Sequence, residues 1–122
     1  MLPLGEDGCV ATAARVARTF RAVTVGERQA RHWLYVALLH DPRRRDPWGL
    51  YVGQTSRDPD WRFDQHKAGY KASGAVRRFG MRLLPQVVEH LNPLRQWESL
   101  DLEAALAEAF GAAGVRWIEG GH

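Results

Sequence analysis

The chain of 122 residues contains a single cysteine, Cys9, so it can form no internal disulfide and no thiolate cage for zinc. A lone thiol near the start reads as structural or incidental. Long hydrophobic runs are missing too. The longest, residues 33–39, falls far short of the roughly 20 apolar residues that span a bilayer. Glu6 and Asp7 precede a helical-looking stretch where a secretory signal would place basic and then apolar residues, so the expected compartment is the cytoplasm. No repeat, low-complexity tract or linker divides the chain, and its length suits one modest core.

The residues present describe a globular protein, 45% hydrophobic and 25% charged. A net charge of +3 conceals an asymmetry: residues 1–90 hold 15 Lys+Arg against 9 Asp+Glu, and residues 91–122 hold 2 against 5. A basic body with an acidic last segment suits a polyanionic ligand held near a carboxylate able to recruit a cation. A general abundance of arginine produces the same balance, so charge alone does not decide between the two.

Val10, Ala13, Ala14, Val16, Ala17 and Phe20 recur at helical spacing and predict a surface helix. It lies in an N-terminal extension, residues 1–30, ahead of a main domain at 31–122. The runs HWLYVALLH and WGLYVGQT read as two strands of an antiparallel hairpin, joined by the turn-forming, triply basic DPRRRDP. Asp58 and Pro59 start a helix that Gly69 ends, and a second short helix is expected over residues 72–79. MRLLPQVVEHL reads as a third strand, broken or edged by Pro85. A last helix runs from Ser99 or Asp101 to about Gly111, with Leu102, Leu106 and Phe110 on one side. The expected fold class is α/β of the α+β type: a small three-stranded antiparallel sheet flanked by helices.

Strand parity brings two tyrosines together. With the turn centred on Arg43 or Arg44, Tyr35 opposes Tyr51 or Gly53, and both phenols share one face. Gly53 leaves room there for close approach by a backbone or a ligand. Arg62 and His66, at i and i+4, share one side of the next helix.

These residues resemble the GIY-YIG nucleases. WLY at residues 33–35 is similar to the GIY element and YVG at residues 51–53 to the YIG element, with the helical arginine and histidine falling on Arg62 and His66. The resemblance covers roughly residues 33 to 111 and puts the metal-binding glutamate on Glu103. Trp33 stands where the family has its first glycine, and no asparagine follows Glu103; the only one is Asn92.

The resemblance implies an endonuclease that hydrolyses phosphodiester bonds of DNA, with RNA left open. Tyr35 or Tyr51 would activate water, Arg62 would stabilise charge on phosphate oxygens, and His66 would relay a proton. Glu103 would hold Mg²⁺ or another divalent cation such as Mn²⁺. Gly53, Arg43, Arg44, Arg45, Lys67, Lys71, Arg77 and Arg78 are the expected nucleic-acid contacts, and Tyr70 could stack on a strand. Targeting would need a homodimer, a partner or the N-terminal residues. One alternative is a GIY-YIG-like binding module without catalysis; another is a protein-interaction domain using Trp48 and Trp61.

Taken singly, each residue has an ordinary reading. Tyr35 could be a core residue, Arg62 a solvated cation, His66 a cation at a helix C-terminus and Glu103 an acid in the first helical turn.

Overall fold

The computed structural model describes residues 3–69 and 73–121. Its centre is the hairpin of β1, Trp33–His40, and β2, Trp48–Thr55, paired antiparallel so that Tyr35 opposes Gly53 and Val36 opposes Val52. Of the two registers open from parity, the turn centred on Arg44 is the one formed.

The sheet is larger than expected. β3, Gly80–Leu83, adds antiparallel to β1, and β4, Ile118–Gly120, adds parallel to β2, giving a mixed four-stranded sheet in the order β3-β1-β2-β4. The three-stranded antiparallel expectation is corrected by β4, a three-residue strand too short to show a period of its own.

Alternation divides the sheet into two faces. Leu34, Val36, Leu38, Leu50 and Val52 point into the core, against α1 (Glu6–Ala17), α4 (Pro85–Val88) and α5 (Gln96–Ala112). Each such aliphatic side chain contributes about 1.5–3 kcal/mol relative to exposure. The N-terminal helix is therefore not a surface element: Cys9, Ala13 and Ala17 have no exposed area and belong to the core. Burial pushes the Cys9 thiol up to about 11, which leaves it protonated and unreactive at neutral pH.

Two further corrections concern residues 80–103. Pro85 does not edge a strand; it opens α4 at a first-turn position, where its missing N–H costs nothing, and a tight helical turn at Glu89–Leu91 follows. α5 begins at Gln96, so Glu98 and Asp101 lie inside it and Glu103 sits about two turns in. Ser99 does not cap this helix, because its hydroxyl donates back to the Gln96 carbonyl at 2.7 Å.

Two polar side chains tie the loops down. The buried Glu98 carboxylate accepts from the Val23 and Thr24 amides at 2.8 Å each and from the Thr24 hydroxyl. Burial opposes its ionisation, but the bonds from Thr24 and Val23 outweigh it and hold the carboxyl below its ordinary value. Asn92 clips the edge of β1: Leu34 N–H donates to its Oδ1 and its Nδ2 donates to Leu34 C=O, both at 2.8 Å. Asn92 is thus structural. Among the described residues no helix is long and apolar enough to cross a membrane.

Candidate active site

The opposite face of the sheet is covered by α2, Pro59–Ala68, and α3, Gly74–Phe79. α2 forms where the sequence signals it: Asp58 accepts from the Asp60 amide at 2.8 Å, Pro59 takes the first position, and Gly69 ends the helix at φ 91°. Ser73 caps α3 by accepting from the Val76 amide at 3.4 Å.

Tyr35 and Tyr51 lie on this face with ring centroids 5.9 Å apart and nearly parallel planes. Gly53 explains how Tyr35 fits. A Cβ at position 53 would lie 2.6 Å from the Tyr35 hydroxyl oxygen, so any side chain there must displace the ring. The space expected to admit a ligand over Gly53 is filled by Tyr35 itself, which corrects the assignment of Gly53 as a nucleic-acid contact.

His66 is buried, with its ring 5.7 Å from that of Tyr51 and its Nε2 3.0 Å from the Tyr35 hydroxyl. Its Nδ1 accepts from the Ser73 amide at 2.8 Å. A backbone amide only donates, so Nδ1 is bare and the neutral ring carries its hydrogen on Nε2, which donates to Tyr35. With its oxygen receiving from His66, Tyr35 keeps its own hydrogen to offer toward the stacked, half-buried Tyr51. Two hydrogen bonds therefore run one way, from Ser73 through His66 to Tyr35, with Tyr51 next in the series.

Electrostatics follow from this packing. Burial, with the Tyr51 and Glu103 charges and the bond to Tyr51, drives the Tyr35 ionisation far upward against the opposing Arg62. This environment works against Tyr35 as the phenol that ionises to activate water. Burial, then the Arg62 charge, lowers His66 from 6.5 to about 4, so it is neither a cation at the helix end nor a group that titrates near neutrality.

A stability test follows. As pH falls below 6.5 the unfolded chain protonates His66 while the folded chain resists until about 4, so stability contributed by the neutral ring is present above 6.5 and lost across that window. Wild type should lose on the order of 3 kcal/mol more than His66→Gln between these limits, as measured by denaturant unfolding at stepped pH. Parallel pH profiles for the two proteins would contradict the buried neutral imidazole.

Arg62 and Glu103 both bear on Tyr35 electrostatically, and Glu103 is 5% exposed where α5 passes β2 and β4. The structure thus brings Tyr35, Tyr51, Arg62, His66 and Glu103 to one place. Among the described residues no group of three or more His, Cys, Asp or Glu lies together. Both His66 nitrogens are engaged; of these five residues Glu103 is the one carboxylate, the donor type that a hard cation such as Mg²⁺ takes along with water and phosphate.

The expected nucleic-acid contacts separate. Lys67 also serves the fold: its Nζ donates to the Arg77 and Gly80 carbonyls at 3.2 and 2.9 Å, closing the end of α3, while the residue stays exposed. Arg77 lies against Gly69, and Arg78 sits over the Phe79 ring at 5.2 Å, both exposed. Arg43 pairs with Asp41 at 3.3 Å, Arg44 stacks on Trp117 at 4.1 Å, and Arg45 lies near Arg116. This loop starts beyond Trp48, about 10 Å along β2 from Tyr51. Lys71, Tyr70 and His122 lie outside the described residues. Trp48 is half-buried and stacks on His40 at 4.0 Å, whereas Trp61 is exposed.

Sequence reasoning missed Ser73, whose amide sets the His66 tautomer. The signal available was its place as the cap ahead of a short helix. No protein-family model, curated protein or solved structure matches the chain.

Proposed function

We propose that the protein is a metal-dependent endonuclease of the GIY-YIG type that hydrolyses phosphodiester bonds of DNA. The observation that carries this reading is the directed hydrogen-bond series from Ser73 through His66 to Tyr35, which stacks on Tyr51 and feels the charges of Arg62 and Glu103. Ser73 fixes His66, His66 fixes Tyr35, and Tyr35 keeps its own hydrogen to offer toward the neighbouring Tyr51. Tyr51 is then the group that, as its phenolate, takes a proton from the attacking water and becomes a neutral phenol while the hydroxide adds to phosphorus. His66 acts by orientation rather than by shuttling a proton.

Arg62 offers a planar, permanently charged fork to the phosphate oxygens as negative charge builds there. A divalent cation held by Glu103 would supply further charge neutralisation at the phosphate and at the leaving oxygen. The arginine loop and the exposed Arg77 and Arg78 would meet the flanking backbone without reading sequence.

The test is to incubate the protein with end-labelled single- and double-stranded DNA and RNA, with Mg²⁺, with Mn²⁺ and with chelator. Cleavage of DNA that requires the cation supports the reading. Salt-sensitive binding with no cleavage under any cation replaces it with a binding module.

A further inference from the structure

Resting on that reading, we propose that a cavity beside Tyr35 receives a nucleobase carrying an exocyclic amine, from the strand whose phosphate meets Arg62. The cavity, of about 350 Å³, lies between the start of β1, the first turn of α2, and α4. It exists because β3 leaves β1 at Val36, where Leu84 N–H makes its last bond to that strand at 2.8 Å. Beyond that point the Asn92 side chain, rather than another strand, satisfies the edge at Leu34 and leaves a notch.

The lining selects the ligand. Trp33, Pro59 and Pro85 give flat apolar surface, Asp60 and Glu89 give carboxylates beside that of Asp58, which caps α2, and among the described residues no Lys, Arg or His lines the cavity. A phosphate is repelled from such a space, whereas a flat ring with N–H donors is accepted. Guanine, cytosine and adenine bring the amines that carboxylates bind, guanine pairing its amine with a ring N–H; thymine offers one ring N–H set between two carbonyls, which bring acceptor oxygens against the carboxylates. Trp33, which stands where GIY-YIG proteins have glycine, thereby acquires a role.

Position joins the cavity to the chemistry. Trp33 and Tyr35 are two apart in β1 and share a face. Asp58 and Pro59 precede Arg62 by four and three residues, so they share a side of α2 with it. A base seated in the notch would carry its phosphate toward the side of α2 that holds Arg62.

The experiment uses the full chain labelled with ¹⁵N, the Trp33 indole signal assigned with Trp33→Phe, and free deoxyguanosine, deoxycytidine, deoxyadenosine and thymidine as probes. None of these carries a phosphodiester, so the readout does not depend on cleavage. The three amine-bearing nucleosides should shift the signal saturably, and thymidine should bind roughly tenfold more weakly. The double variant Asp60→Asn, Glu89→Gln should erase the difference. Oligonucleotides differing only at the base beside the cut should show the same preference in wild type and lose it in the double variant. Equal binding of thymidine, no shift with any nucleoside, or a larger shift with tetramethylammonium would overturn the proposal. Selective nucleoside binding without cleavage of any oligonucleotide would retain the base site and overturn the nuclease reading instead.

Discussion

Arg62→Ala should reduce DNA cleavage by about 10²–10³-fold, the scale seen when one preorganised donor to a developing charge is removed. DNA affinity should fall only a few-fold, since one phosphate contact among several is a small share of the electrostatic total. Arg62 faces a crowded site, and its charge bears on both Tyr35 and His66. Without it the buried imidazole loses a repelling neighbour, so the His66 pKa should move back up from about 4. Single-turnover cleavage, a filter-binding titration and a histidine NMR titration read the three quantities separately. Equal losses in cleavage and affinity would make Arg62 a binding residue and remove it from the chemistry.

Glu103→Gln should abolish cation-dependent cleavage while melting within a few degrees of wild type. The replacement keeps the shape of a side chain that is 5% exposed and removes only its charge. A single carboxylate binds Mg²⁺ weakly until substrate phosphate and water complete the shell, so the defect should appear as lost turnover rather than lost folding. DNA affinity should be unchanged or slightly tighter, because one repulsive charge is gone. The Tyr35 phenol should also become somewhat easier to ionise, since Glu103 is among the groups that oppose it. Cleavage that persists in Glu103→Gln would assign the cation to another residue.

The hairpin, the start and stop of α2, and the shared face of the two tyrosines were legible because each rests on local chemistry. Period-two alternation, an aspartate–proline start and a glycine stop act within a few residues of themselves. The direction of the hydrogen bonds was not legible. It depends on the Ser73 amide meeting a histidine seven residues away, and on Tyr35 lying over Gly53 in the register that forms. β4 was invisible for a related reason: its residues gain strand geometry only by pairing with Leu50, Tyr51 and Val52. Pro85 was misread because an apolar run around a proline suits an edge strand as well as a helix start, and only the departure of β3 from β1 decides.

The burial of α1 sets an order of assembly on a chain leaving the ribosome. Its apolar side packs on α4 and α5, and α5 begins only at Gln96, so the first helix has no complete surface to dock on until nearly all of the described chain has been made. At ~5–20 residues per second that wait lasts several seconds, during which the hairpin can close but the other side of its sheet stays wet. Tyr35, Tyr51, Arg62 and His66 belong to elements complete by Phe79, whereas Glu103, Trp117 and β4 join that face later. The phenols and the arginine can thus assemble early, while the carboxylate arrives with the helix that closes the core.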